Sequence, residues 1–155
     1  MRTFRYDKLV RDKIVPEMET EGSRVVWRRL DDAEFATELA KKLEEELDEL
    51  DEEVGQNRER DLKELADVAE VYEVAFEVLD QDEHYELLES AMEELVSGKD
   101  MWEIDPEELL AAKAAKIERM GAFTNRTYIE TVSVDESNPW LKRYLESPEK
   151  YLEVL

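Results

Sequence analysis

The sequence predicts a mainly α-helical protein, with four long helices and a small two-stranded β element formed by the flanking segments. Three observations support this. Apolar residues recur at spacings of three and four through the middle of the chain. Glycine, proline and asparagine separate these stretches. Short β-branched runs lie on either side of them. We expect a single domain over residues 1–155, comprising a basic N-terminal segment (1–30), a helical core (31–120), and a strand and tail (121–155).

The first two helices are predicted at about residues 32–54 and 61–79. Asp31 or Asp32 can cap the first helix, which should end before Gly55. Its apolar stripe comprises Leu39, Leu43, Leu47, Leu50 and Val54. The second helix has two nearly opposite apolar stripes, so it should have neighbours on both sides. One stripe comprises Leu62, Leu65, Ala69, Tyr72, Phe76 and Leu79, and the other Val68, Val71, Val74, Ala75 and Val78. Glu70, Glu73 and Glu77 should form a polar face between them.

The remaining elements follow from local signals. A third helix is predicted from about residue 82 to 96, stopping at Ser97-Gly98, and a fourth from Pro106 to Met120. A strand is predicted over 127–134, with a possible partner centred on Val26. Pro16 should interrupt the N-terminal segment, and the tail should contain a short helix.

The charge balance argues against several classes of partner. The chain has 43 acidic and 21 basic residues, a net charge of −22, which argues against nucleic acid and anionic membranes as partners. No apolar run is long enough to cross a membrane, and the N-terminus has no signal-peptide core. We therefore expect a cytoplasmic protein. His84 and most tryptophans are interpreted as structural, with Trp27 the best candidate for stacking on a base.

Two carboxylate couplets, Glu46-x-x-Glu49 and Glu64-x-x-Asp67, indicate a metal site. Glu64 and Asp67 continue an apolar stripe, so they should point inward and need a cation or strong hydrogen bonds. Glu46, Glu49 and Glu53 line one flank of the preceding helix. Such couplets could hold Mg²⁺ and leave positions open for phosphate oxygens. Alternatively, the first couplet is only part of a solvated acidic run, because eight of residues 44–53 are acidic.

The basic residues are concentrated near the N-terminus. Residues 1–29 contain eight basic and five acidic side chains. A basic segment attached to an acidic metal-binding body would suit a polyphosphate ligand. Ordinary ion pairing to an acidic surface is the alternative explanation.

Four landmarks resemble one family. Tyr6-Asp7-Lys8-Leu9-Val10-Arg11-Asp12-Lys13-Ile14 resembles the K-L-V-R-D-K-I signature of a MazG-like branch of the all-α nucleotide pyrophosphohydrolases. The segments 42–49, 64–68 and 119–123 resemble its E-E-x-x-E helix, E-L-A-D-V helix and R-G-G-F turn, in that order. Ala122 replaces the second glycine of the turn, and residues 82–104 look like an insertion.

The resemblance implies a four-helix NTP-pyrophosphatase-type bundle. It also implies Mg²⁺-dependent (or Mn²⁺-dependent) hydrolysis of a nucleoside triphosphate, either normal or non-canonical, to a monophosphate and pyrophosphate. Glu46, Glu49, Glu64 and Asp67 would be the metal ligands, and Glu45 or Glu49 the general base. The candidate phosphate contacts are Lys8, Arg11, Lys13, Lys113 and Lys116.

Relatives of this kind associate through their helices, so we expect a homodimer or larger homo-oligomer. Two other functions stay open. One is a phosphoribosyl-ATP pyrophosphohydrolase, a label often shared with this branch. The other is a non-catalytic acidic helical interaction protein whose carboxylates only contact water.

Overall fold

The structure, a computed structural model, describes all 155 residues except the side chain of Glu53. The position predicted for that side chain beside Glu46 and Glu49 therefore lies outside the described residues. The helices are α1 (Ile14–Thr20), α2 (Asp32–Glu53), α3 (Arg58–Val78), α4 (Tyr85–Trp102), α5 (Pro106–Met120) and α6 (Leu141–Glu146). The strands are β1 (Arg2–Leu9), β2 (Arg24–Arg29), β3 (Thr127–Val134) and β4 (Glu153–Val154).

The predicted fold class is wrong. The chain is mixed α and β, with six helices and a four-stranded antiparallel sheet, rather than a four-helix all-α bundle with a small two-stranded element. The strand order is β2-β3-β1-β4. The sequence prediction recognised β2 and β3 but missed β1, which pairs with β3 from Arg2↔Val134 to Leu9↔Tyr128. It also missed the short strand β4, which pairs with β1.

The strand β1 escaped prediction because a bulge interrupts its alternation. Phe4 and Tyr6 point into the core, as a period of two requires. The register then shifts between Arg5 and Lys8, and Asp7 has a φ of 46°, so the next buried residue is Leu9. The strand also contains three basic residues. Their charge suggests a ligand-binding segment, so the strand pattern is harder to recognise.

The residues form two compact units, Met1–Asp31 with Arg119–Leu155, and Asp32–Glu118. The first, called here the sheet unit, contains the four strands, α1 and α6. Its core comprises Phe4, Tyr6, Val10, Ile14, Val15, Met18, Ile129, Val132, Val134, Leu141, Tyr144 and Tyr151. The interruption predicted at Pro16 is wrong. Pro16 is the third residue of α1, where its missing N–H would have no partner within the helix.

The second unit is called here the helical unit. Its core is formed by the apolar stripes of α2 and α3. Leu39 and Leu43 of α2 and Leu65 and Val68 of α3 have no measurable exposure. The two predicted stripes of α3 are both partly buried, but Phe76 and Val78 near its C-terminal end remain exposed. Asn57 caps α3, because its side-chain oxygen accepts a hydrogen bond from the Arg60 N–H at 3.1 Å.

The predicted insertion forms α4, an integral part of the helical unit. Leu88, Ala91, Leu95 and Gly98 of this helix are buried, so the stop predicted at Ser97-Gly98 is wrong. The helix continues to Trp102, whose indole N–H donates to Asp61 at 2.6 Å. Asp61 also accepts from the Gly55 N–H at 2.6 Å. This buried carboxylate therefore joins the α2–α3 turn, the first turn of α3 and the end of α4.

Candidate metal centre

Glu46, Glu49 and Glu64 form a carboxylate cluster between α2 and α3. One oxygen of each residue lies within 4.8 Å of the others. Oxygen atoms around Mg²⁺ lie about 3–4 Å apart, given Mg–O distances of about 2.1 Å. Small side-chain rotations would bring these three oxygens to that separation. The two couplets predicted from the sequence therefore supply carboxylates to one place, and the donor set is one that a hard divalent cation prefers.

Asp67 lies one turn after Glu64 on α3 and is 8% exposed. It is not one of the three clustered residues, and its Oδ2 accepts a hydrogen bond from Lys116 Nζ at 3.0 Å. Its charge nevertheless acts on Glu46, because it raises the pKa of that carboxyl. The structure thus brings together three of the four proposed ligands and places the fourth beside them, ion-paired to α5.

Glu46 is the most buried member of the cluster, at 6% exposure. Burial raises the pKa of its carboxyl above the ordinary value, and the charges of Asp67 and Glu49 raise it further, against the opposing effect of Lys42. Lys42 Nζ lies 2.9 Å from Glu46 Oε1. Burial lowers the pKa of Lys42, but Glu46, Glu45 and Glu49 together raise it above its ordinary value. Glu45, Glu46 and Glu49 together therefore stabilise a positive charge beside them.

The two candidate general bases are placed differently. Glu49 belongs to the cluster, whereas Glu45 lies on its flank, with Oε2 at 3.8 Å from Lys42 Nζ. Both are half-buried. A carboxylate bound to a cation is a poorer proton acceptor than one beside it, because the cation stabilises its ionised form. The geometry thus favours Glu45 over Glu49 as the base, if the cluster holds a metal.

Lys113 and Lys116 of α5 both reach carboxylates of α3. Lys113 is 7% exposed and donates to Glu73 Oε1, and Lys116 pairs with Asp67. Lys116 is therefore the predicted phosphate contact that lies at the cluster. Lys113 lies farther from Glu64 than Lys116 does. Its partner, Glu73, comes six residues after Asp67 on α3.

The other three predicted phosphate contacts belong to the sheet unit. Lys13 is exposed, and Lys8 is half-buried, with Nζ 5.8 Å from the centroid of the Tyr151 ring. Arg11 is 7% exposed and donates to the Gly121 carbonyl at 3.1 Å. Its guanidinium carbon lies 5.1 Å from the centroid of the Phe123 ring. These two contacts of Arg11 lie within the sheet unit and would stabilise its fold.

The K-L-V-R-D-K-I segment and the turn at residues 119–123 form one loop assembly. The Asp12 carboxylate accepts hydrogen bonds from the Thr124 and Asn125 N–H groups at 3.1 and 2.9 Å. Gly121 has a φ of 84°, and a β-carbon there would lie 2.9 Å from the Lys13 nitrogen. Gly121 is thus required for close approach, whereas Ala122 participates through its carbonyl, which accepts from the Asp12 N–H at 2.8 Å.

Three buried or ion-paired residues of the helical unit do not follow from the sequence pattern. Lys42 was not identified, although its position four residues before Glu46 is the usual helical spacing for an ion pair. The helical phase of Glu70 predicts a polar face, but the residue is 4% exposed. Asp61 is 1% exposed, and no sequence signal distinguishes it from the neighbouring charged residues. Trp27, the candidate for base stacking, lies 49% exposed on β2.

Within the described part of the chain, no helix combines the length and apolar character needed to cross a membrane. No family model matches the chain. No curated protein and no solved structure is significantly similar to it.

Proposed function

We propose that this protein is a Mg²⁺-dependent nucleotide pyrophosphohydrolase that cleaves the α–β phosphoanhydride bond of a nucleoside triphosphate. The observation that carries the proposal is the convergence of Glu46, Glu49 and Glu64, from two separate helices, to within 4.8 Å of one another. The sequence resemblance to MazG-like enzymes assigns these residues to the metal site. The buried, raised-pKa carboxyl of Glu46 supports a site that binds a cation.

The acidic residues and one lysine would have different roles in this reaction. Glu46, Glu49, Glu64 and Asp67 would hold Mg²⁺, which would neutralise phosphate charge and polarise the scissile bond. Glu45 accepts a proton from the attacking water as the new P–O bond forms and the bond to the bridging oxygen breaks. The products are a nucleoside monophosphate and pyrophosphate. Lys116 contacts a phosphate oxygen, because it is the lysine of α5 nearest the cluster.

The reaction is tested by measuring pyrophosphate release from a panel of normal and modified nucleoside triphosphates, with Mg²⁺ and with EDTA. We expect release that requires Mg²⁺ and yields equal amounts of monophosphate and pyrophosphate. Release of orthophosphate instead would contradict cleavage at the α–β bond. Activity on phosphoribosyl-ATP alone would assign the biosynthetic reaction. Inactivity on every substrate would favour the acidic interaction protein.

We also propose that the protein forms a homodimer or larger homo-oligomer. Tyr72 and Phe76 of α3 and Tyr85 and Met92 of α4 line an apolar groove of about 410 Å³. Phe76, Tyr85 and Met92 are 46%, 60% and 44% exposed. A second copy covering this groove would remove that apolar surface from water. Light scattering after size exclusion should give a mass of at least twice 18.3 kDa. Replacing Phe76 with Glu should lower it.

A further inference from the structure

Two lysines form ion pairs with two of the proposed metal ligands. Lys42 Nζ lies 2.9 Å from Glu46 Oε1, and Lys116 Nζ lies 3.0 Å from Asp67 Oδ2. The two lysines come from different helices, α2 and α5, and contact different carboxylates, one in the cluster and one beside it. Each has a half-buried side chain, with exposures of 22% and 30%. The carboxylates that they contact are the two most buried of the four proposed ligands.

This pairing follows from the electrostatics of the cluster. Several carboxylates close together and removed from water repel one another, so some positive charge must compensate them. An ammonium group on a flexible four-carbon stem can provide that charge and can also move away at low cost. A divalent cation bound at Glu46 or Asp67 would compete with the ammonium group for the same carboxylate, because the two positive charges repel each other.

We propose that Lys42 and Lys116 are built-in counter-ions of Glu46 and Asp67, from which a divalent cation displaces them. This inference rests on the proposed function, since it concerns the same carboxylates. Metal affinity is then set by a competition between the incoming cation and two internal ammonium groups. The lysines weaken metal binding and, in return, keep the carboxylate cluster compatible with folding when no metal is bound.

The chain offers a matched control at Lys41. This residue is next to Lys42 on α2 and forms a similar ion pair, with Nζ 2.9 Å from Glu38 Oε1. Its side chain is 66% exposed, and Glu38 is not one of the proposed ligands. Lys41→Met removes the same formal charge from the same helix without removing an ion pair of the cluster. Any general effect of lost positive charge on cation binding is therefore included in the control.

The experiment measures Mn²⁺ affinity by electron paramagnetic resonance in Lys42→Met, Lys116→Met and Lys41→Met variants at neutral pH and fixed ionic strength. We expect the first two to bind Mn²⁺ about three- to tenfold more tightly than Lys41→Met, as expected for the loss of one partly buried ion pair. Equal or weaker binding in both would overturn the proposal, because the lysines would then be neutral or supporting neighbours of the metal.

A second measurement needs no variant and so does not depend on how the substitutions fold. Acetylation of each lysine in the unmodified protein is followed by mass spectrometry, with and without Mn²⁺. We expect Lys42 and Lys116 to react severalfold faster when Mn²⁺ is bound, and Lys41 to be unchanged. Unchanged rates at Lys42 and Lys116 would contradict displacement.

Glu64→Gln separates failure of this inference from failure of the metal site. Glu64 belongs to the carboxylate cluster but is not one of the two lysine-held carboxylates. If Mn²⁺ binds the unmodified protein no better than Glu64→Gln, the metal site itself is refuted. If Glu64→Gln weakens binding while the lysine variants do not strengthen it, the metal site stands and only the counter-ion proposal is refuted.

Discussion

Gly98 of α4 lies directly against Leu65 of α3. A β-carbon at position 98 would lie 2.7 Å from Leu65 Cδ2 and 3.0 Å from its Cδ1. Leu65 has no measurable exposure, so its side chain has little room to move aside. Because Leu65 lies between Glu64 and Asp67, the absence of a side chain at Gly98 helps to fix the helix that carries the second couplet.

Gly98→Ala should destabilise the protein despite the better helix propensity of alanine. The propensity gain is about 1 kcal/mol, whereas overpacking a filled core costs about 1–3 kcal/mol. Chemical denaturation should therefore show a net loss of up to about 2 kcal/mol. Ser97→Ala, at the exposed neighbouring position, is the control and should be neutral or slightly stabilising.

A double-mutant cycle with Leu65→Val tests the cause of that loss. If the added methyl group is unfavourable because of Leu65, shortening Leu65 should make Gly98→Ala less costly by at least about 0.5 kcal/mol. Strictly additive effects would show that the strain arises elsewhere.

Arg11→Ala should destabilise the sheet unit. The substitution leaves the Gly121 carbonyl without its guanidinium donor and removes the cation from the Phe123 ring. We expect a loss of about 2 kcal/mol or more, measured by thermal unfolding. Arg5→Ala, at an exposed position of β1, should change stability by less than about 0.5 kcal/mol.

The same variant tests the sequence-based prediction for Arg11, which is weaker nucleotide binding. The nucleotide KM should rise if Arg11 also contacts phosphate. A destabilised variant with an unchanged KM would assign Arg11 to the fold alone.

Elements in which apolar residues recur at regular spacing can be predicted from the sequence. Elements in which that spacing is interrupted cannot. The bounds of α5 follow from Asp105-Pro106 at its start and Gly121 at its end, and the structure confirms them. The strand β3 is likewise confirmed at Thr127–Val134. The strand β1 was missed because of the bulge at Asp7. A sheet also depends on pairing between distant segments, which local patterns do not encode.

The candidate site shows the same division. The helical phase of Glu64 and Asp67 indicates that they face inward, and the structure places Asp67 at 8% exposure. The helical phase of Glu70 places it with Glu73 and Glu77, yet Glu70 is buried and the other two are exposed. The angular position of a residue on a helix does not tell how much of the circumference of that helix is covered by neighbouring helices. That depends on α4 and α5, whose positions the sequence does not give.

Glu108→Gln should lower stability in a pH-dependent manner. Arg58 forms two hydrogen bonds to the Glu108 carboxylate, at 2.5 and 2.7 Å, and these lower the pKa of that carboxyl. A group whose pKa is lower in the folded state contributes stability above its unfolded pKa and loses it as the pH falls through the folded value. The unfolding temperature of Glu108→Gln should therefore be lower than that of the unmodified protein at neutral pH.

This difference should disappear below the lowered pKa of Glu108, where the unmodified carboxyl is also protonated. It should also shrink at high salt, because the pair is solvent-exposed. Glu107→Gln, which alters the adjacent exposed carboxylate, is the control. A difference that stays constant over the whole pH range would show that the ion pair is not its source.

Asp67→Asn should abolish Mg²⁺-dependent turnover while keeping the fold. The amide has nearly the shape of the carboxylate but lacks the charge that binds the cation and repels Glu46, so we expect a loss of at least about a hundredfold in kcat/KM. Glu59→Gln, at an exposed position of α3 whose partner is Lys63, should leave turnover unchanged. Circular dichroism and thermal unfolding would establish that both variants are folded.

If Asp67→Asn retains activity, Asp67 is not a metal ligand, and the ion pair with Lys116 is a structural link between α3 and α5. If it loses both activity and Mn²⁺ binding while Glu59→Gln loses neither, the fourth ligand is Asp67, although it lies outside the group of three carboxylates that the structure brings together.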